Sequence, residues 1–408
     1  MMAPKLPATP AVLAVRRAVR EWVVARGGRG PVVVGLSGGA DSLALVAAAV
    51  VECGAVTAVV VDHRLQDGSG AVARRAVEQA LALGCVDARV VAVEVGRAGG
   101  VEAAARAARY AALESVRDGR PVLLGHTLDD QAETVLLGLA RGSGGRSIQG
   151  MAAWNEPWGR PLLGVRRAQT EQLCADLGIE PWRDPHNDDP AYTRVRVRNE
   201  VLPLLEDVLG GGVAQALART ADQLRADGAV LDDLADELLR AARLPVHRPD
   251  ETSTGPGGNA RSTVVPRPES PARAATGCGP GLGAVPEPSA LAESGGGTDR
   301  PVPTAGPEST VDIESGSGPD DSDRLALSIE ILTTAPAPLR RRAVRAWLAE
   351  QGVSGLMNAH LQAIDELVSN WRGQGPVAIG GGSRAHRLVV LREHGTLTVR
   401  AQPRFDAT

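Results

Sequence analysis

The stretch Pro31-Val32-Val33-Val34-Gly35-Leu36-Ser37-Gly38-Gly39-Ala40-Asp41-Ser42-Leu43-Ala44-Leu45-Val46 decides the fold. Its first six residues are apolar and mostly β-branched, the pattern of a strand buried on both faces. A turn with two glycines follows, and an apolar helix runs over 42–51. A buried strand feeding a helix through glycines is the opening unit of a parallel sheet. The unit recurs along the chain, with strands expected over 56–61, 88–93 and 121–124 and helices over 71–83, 101–116 and 129–140. We therefore expect an α/β fold, a twisted parallel sheet with helices on both faces. In such sheets ligands bind beyond the carboxyl ends of the strands, so the segments after each strand carry the functional reading.

The first such segment is Ser37-Gly38-Gly39-Ala40-Asp41-Ser42. Its glycines let backbone approach a phosphate closely, Ser37 and Ser42 add hydroxyls, and the helix N-terminus contributes unpaired N–H groups and positive dipole. Asp41 is placed to hold a Mg2+ that bridges phosphates. Strand two ends in Val61-Asp62-His63-Arg64, where His63 is read from the residues alone as a strand-end cap. After strand four comes Gly125-His126-Thr127-Leu128-Asp129-Asp130-Gln131-Ala132-Glu133-Thr134, then Arg141-Gly142-Ser143-Gly144. Asp129 or Asp130 could cap the helix, which would account for one of them but not for the whole group. Asp129, Asp130 and Glu133, spaced three and four apart, would share one helix face at the sheet edge that carries the phosphate loop. That concentration of carboxylates suits a metal or an ammonium group.

Composition removes several alternatives. Of 44 basic residues Lys5 is the only lysine, and it precedes every glycine, so no G-x-x-x-x-G-K-[ST] loop exists. No apolar run approaches the ~20 residues that span a bilayer, and the amino terminus lacks the apolar core of a signal peptide, so a cytoplasmic protein without membrane association is expected. Cys53, Cys85, Cys174 and Cys278 are widely spaced with no C-x-x-C pair, which suggests neither disulfides nor a clustered metal site. The formal charge of −4 is unevenly distributed, for residues 244–325 hold 12 acidic residues against 6 Arg. The same segment has 13 Gly, 13 Pro and no aromatic residue, too little apolar surface to offset about 1–2 kcal/mol of backbone entropy per residue. It is expected to be a disordered insertion. The expected organisation is a nucleotide-binding catalytic domain over 1–205, a helical linker over 206–243, the insertion over 244–325 and a small α+β domain over 326–408. That last domain should begin with a strand over 326–332, continue with helices over 339–350 and 356–370, and end with strands over 376–379, 387–391 and 396–400. Arg340, Arg341, Arg342 and Arg345 gather near the start of one helix, where the macrodipole disfavours cations; phosphate contact and a solvated arginine face both explain them.

The S-G-G-x-D-S string resembles the PP-loop of the ATP pyrophosphatases. The G-H-x-x-D-D-x-A-E-T string, R-G-S-G, Arg160-Pro161-Leu162-Leu163, Trp182-Arg183-Asp184-Pro185-His186-Asn187-Asp188-Asp189 and Tyr192-Thr193-Arg194-Val195-Arg196-Val197-Arg198-Asn199 most resemble the tRNA(Ile)-lysidine synthetases of that superfamily. The likeness runs over about residues 30–210, with a weaker echo in the C-terminal domain. It implies that ATP adenylates the C2 oxygen of the wobble cytidine of CAU-anticodon tRNA(Ile), after which free L-lysine displaces AMP to give lysidine. The cofactors implied are ATP and Mg2+; the partners are tRNA(Ile) and lysine, and a homodimer is admitted. Ser37, Gly38, Gly39, Ala40, Asp41, Ser42 and His63 would bind the nucleotide. Asp41 would hold the metal, and Asp41, Asp130 and Glu133 would be catalytic, the last two taking the lysine ammonium groups. His126, Asp129, Arg141, Arg194, Arg196 and Arg198 would face lysine or tRNA. The three arginines of R-x-R-x-R share one side if extended but spread over about 200° on a helix. Trp154, Trp158 and Trp182 either stack on bases or fill the core.

Two other readings remain at this point. A tRNA 2-thiolation enzyme would use the same loop but needs reactive cysteines, and none stands beside a motif. A non-catalytic tRNA-binding module would not need Ser37, Asp41 and Ser42 intact.

Overall fold

A computed structural model of the chain describes residues 6–64, 68–96, 101–142, 144–185, 189–244, 326–353, 355–383 and 385–404. The expected insertion, apart from Leu244, lies outside the described residues. Among those described, β1 (Val32–Gly35), β2 (Val56–Asp62), β3 (Asp87–Ala92), β4 (Val122–Leu124) and β6 (Trp158–Gly159) run parallel. The short β5 (Trp154–Asn155) adds an antiparallel edge, giving the order β3-β2-β1-β4-β6-β5. β2 and β3 lie on one side of β1 and β4 and β6 on the other. The strand order therefore reverses between β1 and β4, and the crevice at their carboxyl ends is the place such a sheet offers a ligand.

The pleat sorts the strands into two cores. Val32, Val34, Val56, Ala58 and Val60 pack with helices α1 (Pro10–Ala25), α2 (Ala40–Glu52), α3 (Ser69–Ala82) and α6 (Arg167–Asp176). Val33, Val59, Val122 and Leu124 pack on the other face against Leu113 and Tyr110 of α4 (Val101–Val116). Burying one such side chain is worth about 1.5–3 kcal/mol. A one-residue slip of β1 would exchange the faces of all its valines, so this alternation fixes the register that presents the phosphate loop. Helix α1 lies outside the elements read above. Thr9 caps it, Pro10 takes its first position, and Val12, Val15, Val19, Trp22 and Val23 form its buried stripe. Trp158 packs edge-on against Tyr110 with centroids 4.5 Å apart, and Trp154 lies between Trp22 and the Arg26 guanidinium. Both therefore pack within the protein, as core filling required.

Helix α5 (Leu128–Ala140) follows β4, and α9 (Val213–Ala242) is a single 30-residue helix that spans about 45 Å. Ala214 and Ala218 at its start pack with Leu128 and Ala132 of α5. Ala235, Leu239 and Ala242 at its end join the core of the C-terminal domain. The linker is thus a shared structural element whose two ends belong to different cores. The C-terminal domain has an antiparallel sheet of order β7-β8-β11-β10-β9, formed by β7 (Arg243–Leu244), β8 (Ala326–Ser328), β9 (Val377–Gly382), β10 (His386–Glu393) and β11 (Thr396–Pro403). It packs on α10 (Ile329–Thr333), α11 (Ala337–Glu350) and α12 (Asn358–Ser369). The strand expected over 326–332 is corrected by this arrangement. It stops at Ser328, whose hydroxyl accepts from the Ile331 amide at 3.4 Å and starts α10 in its place.

Leu244 and Ala326 are direct partners in the antiparallel β7–β8 ladder. The two described residues that flank 245–325 therefore lie on one rung. Replacing 250–320 by a short Gly-Ser link should leave lysidine formation and the urea midpoint nearly unchanged, because shortening the closed loop alters its entropy by only about 2 kcal/mol. Aggregation of that variant, or a loss of activity beyond tenfold, would show the segment to be part of a working surface.

Candidate active site

The phosphate loop is held in shape before any ligand arrives. The Ser42 hydroxyl donates to the Gly39 carbonyl at 2.9 Å and accepts from the Ser37 amide at 3.2 Å, while the Ser37 and Ser42 oxygens lie 3.1 Å apart. Gly38 sits at φ +83°, where a side chain is strained, and its carbonyl accepts from the Trp182 amide at 2.9 Å. Gly39 is the N-cap of α2, so the free amides of the first helical turn face the crevice. Across it, a Cβ on Gly125 would lie 3.0 Å from the Asp41 backbone, so only glycine lets the end of β4 approach the loop this closely.

The loop borders a cavity of about 400 Å3, also lined by Asp62, His63, Arg109, His126, Trp182 and Asp184. That size is in the range of nucleotide-binding clefts. His63 and His126 each bury an Nδ1 atom that has no partner among the described residues. Burial, aided by Arg109, lowers the pKa of His63. Burial also pushes His126 down to about 4, reinforced by Arg160, Arg109 and Arg106 and opposed by Asp130. Both rings are therefore neutral at pH 7, each with a nitrogen left for a ligand. Arg109 is mostly buried, and no carboxylate pairs with it among the described residues. The cavity thus carries the Arg109 guanidinium and two neutral imidazoles alongside the carboxylates of Asp41, Asp62 and Asp184.

The acidic cluster lies behind Asp41 and is built differently from the sequence expectation. Neither Asp129 nor Asp130 caps α5; Thr127 does, with Asp130 as its capping-box partner. The Asp130 carboxylate accepts from the Thr127 amide and hydroxyl at 2.8 and 2.9 Å. Asp129 turns away to the start of α6, accepting from the Arg167 amide at 2.7 Å and meeting Arg166 at 3.0 Å. It lies one helical turn from Glu133 on α5, but its carboxylate is held by the amide-rich N-terminus of α6 and by Arg166.

Arg167, which the sequence reading missed, organises the rest. Its Nε lies 3.3 Å from Asp41, one terminal nitrogen 2.8 Å from Asp130 and the other 3.6 Å from Glu133. Thr170, one turn further along α6, donates its hydroxyl to the other Asp41 oxygen. Glu133 is fully buried and is met by Arg198 at 2.7 Å and Arg194 at 2.9 Å. Burial raises the pKa of Asp41 despite Arg167 and Thr170. For Asp130, burial is outweighed by Arg167, the Thr127 amide and other cations, and its pKa is lowered.

The R-x-R-x-R segment is helical, α7 (Thr193–Arg196) running into a π turn over Val197–Val201. Arg194 and Arg198 are four apart and face Glu133 together. Arg196, on the opposite side, pairs with Glu200 in solvent and is not in the site. Arg141 is exposed at the far end of α5, about three turns from Asp130, and does not reach the cavity. Trp182, by contrast, lines the cavity instead of a core. The only sequence signal for Arg167 is its place shortly after Arg160-Pro161-Leu162-Leu163, since its carboxylate partners are 126 and 37 residues away.

Residues 14–205 match the family model of the PP-loop domain, and residues 327–398 match the TilS substrate binding domain. The tRNA(Ile)-lysidine synthase of Nocardia farcinica is 53% identical over 395 residues, 96% of this chain and 99% of that one. That of Rhodococcus erythropolis is 50% identical over 392 residues, 96% of each chain.

The chain belongs to the tRNA(Ile)-lysidine synthase family.

The PP-loop match of this lysidine synthase family member spans every residue of the cavity and the acidic cluster, and its substrate-binding match begins in β8 and ends in β11. Cys53, Cys85 and Cys174 are buried and none lines the cavity, although the Cys174 thiol donates to the Ala40 carbonyl of the loop at 3.6 Å; burial pushes their thiols up to about 11, 12 and 12. None is a thiolate donor for sulfur transfer, which removes support from the 2-thiolation reading. Among the described residues no group of three metal ligands occurs, so a Mg2+ here would be held by Asp41 together with nucleotide phosphates.

The neutral state of His126 has a measurable consequence. Its folded pKa lies below the unfolded value of ~6.5, so the unfolded chain binds the extra proton. The resulting stabilisation is complete above pH 6.5 and is lost as pH falls toward 4, by about 3 kcal/mol at most. His126→Gln should flatten the pH dependence of the urea midpoint across that window. An unaltered slope would mean that other groups carry it.

Proposed function

We propose that the chain performs lysidine formation in two steps within this one crevice. The C2 oxygen of the wobble cytidine of CAU-anticodon tRNA(Ile) attacks the α-phosphorus of ATP, and the bond to pyrophosphate breaks. The ε-amine of free lysine then attacks C2, the C2–O bond to AMP breaks, and the amine sheds its proton. The observation that carries this reading is the junction of the phosphate loop with the acidic cluster through Arg167, in a chain of this family.

The first amides of α2 and the hydroxyls of Ser37 and Ser42 bind the phosphates. When bound at Asp41, Mg2+ supplies positive charge against the departing pyrophosphate. Arg109, the unpaired guanidinium, faces the charge that develops on the α-phosphate. The free nitrogens of His63 and His126 are hydrogen-bonding groups for the nucleotide or the cytosine. Asp130 and Glu133 form the ammonium-binding end. A lysine ammonium there competes with Arg167 and Arg198, so its binding requires a guanidinium to yield one of its carboxylate contacts. The amine reacts only when neutral, and a carboxylate of this cluster is the nearby acceptor for its proton.

Pyrophosphate exchange into ATP tests the scheme. Exchange is expected with the tRNA(Ile) transcript even without lysine, and lysine should convert it to net release of AMP. Exchange that ignores the tRNA, or that requires lysine from the start, would contradict the order of steps.

A further inference from the structure

The four arginines of α11 do not act alike. Arg340 is largely buried and bonds to Asp365 at 2.7 and 3.2 Å and to the Ala335 carbonyl at 2.7 Å. Arg341 lies 3.9 Å from the same carboxylate. Arg340 is accounted for inside its domain, whereas the buried Arg341 Nε has that carboxylate in ion-pair range but no hydrogen-bond partner among the described residues. Arg342 reaches out of it to Asp232 on α9, and the same Asp232 oxygen also meets Arg146, from the turn Gly145–Ile148 of the PP-loop domain. Arg345, one turn beyond Arg342, has no carboxylate partner among the described residues, and its nearest charged neighbours are Arg146 and Arg342.

Two guanidiniums from two domains thus meet on one half-exposed aspartate, and a third, that of Arg345, lies near enough to repel both. Like charges assembled on a surface repel one another, and one carboxylate offsets only one of them. The turn and α11 both pack on α9, so the assembly is held rigidly across the seam between the PP-loop domain and the domain that matches the substrate-binding model. Forked donors on a fixed frame suit phosphate oxygens, and an extended polyanion is the partner able to touch both domains at once.

We infer that Arg146, Arg342 and Arg345 form a contact for the phosphate backbone of RNA, with Asp232 holding two of them in position. The inference rests on the tRNA reading above and adds a binding surface away from the cavity. It is a backbone contact and carries no base preference.

The test compares the wild type with Arg345→Gln, Arg146→Gln and the double variant in filter binding to the CAU-anticodon tRNA(Ile) transcript across a KCl series. Removing one phosphate-binding arginine should reduce the log–log salt slope by about 0.7–0.9. Affinity at low salt should fall several-fold in each single variant, equally for an unrelated tRNA, with the KM for ATP unchanged. Because Arg345 has only repulsive charged neighbours, Arg345→Gln should keep or raise the urea midpoint, which a structural role would lower. Wild-type salt slopes in both single variants would overturn the inference. So would a KM for ATP rising in step with the loss of tRNA affinity, or a loss confined to an acidic polypeptide such as polyglutamate. If the wild type itself does not bind the transcript, the functional reading falls too; if it binds and the variants match it, only this surface is wrong.

Discussion

Asp41→Asn should abolish adenylation, with pyrophosphate exchange at least a thousandfold below wild type, while the protein stays folded. Asp41 is the only carboxylate within the phosphate loop, at the second position of α2, where one oxygen faces Arg167 and the other accepts from Thr170. Asparagine keeps the shape and can still accept from Thr170, so the cost to the fold is small. What is lost, on the function proposed above, is the negative charge that would hold a divalent cation against the phosphates, and removing a charge that acts on the transition state costs orders of magnitude in rate. Exchange in the purified variant within tenfold of wild type, at saturating Mg2+, would remove Asp41 from the metal-binding role.

Arg167→Ala should cost both stability and activity. The side chain touches Asp41, Asp130 and Glu133, and these three do not depend on it equally. Asp130 keeps Arg198 and the Thr127 amide, and Glu133 keeps Arg194 and Arg198. Asp41 keeps only Thr170 and becomes a half-buried charge with no cation paired to it among the described residues. Breaking a buried pair from one side typically costs about 3–5 kcal/mol, and a loss of that size in urea unfolding is expected. Arg167→Lys should recover only part of it, because a single ammonium cannot present three nitrogens to three carboxylates. The double variant Asp41→Asn, Arg167→Ala should be markedly more stable than the sum of the single losses, since neutralising Asp41 removes the orphaned charge. Additive losses would show that Arg167 matters for packing and not for the carboxylates.

Strands, helices and the phosphate loop were legible in the sequence because each rests on neighbours. The valines of β1 and β2 announce a buried strand by their unbroken run, and Gly38 and Gly39 announce a turn by their freedom of φ. The free amides at the start of α2 belong to the same six residues that name the loop. The carboxylates after β4 were legible as a cluster for the same reason. Which partner each one takes was not. Asp129, one residue from Asp130, is claimed by the start of α6, and only the packing of α6 beside α5 decides that. Arg194 and Arg198 enter the site and Arg196 leaves it because the segment is helical, whereas residue identity permits an extended segment equally well.

The sequence by itself determined the alternating architecture, the phosphate site and the family, all of them properties of short contiguous strings. Tertiary structure alone decided that Arg167 joins the phosphate loop to the acidic cluster, that Arg109 lines the cavity with no carboxylate partner among the described residues, and that Arg146 meets Arg342 over Asp232. The reason is physical. A charged side chain has no fixed meaning until burial strips its water and a partner replaces it. In this chain those partners lie as far as 126 residues away, brought together by a strand order that no local pattern encodes.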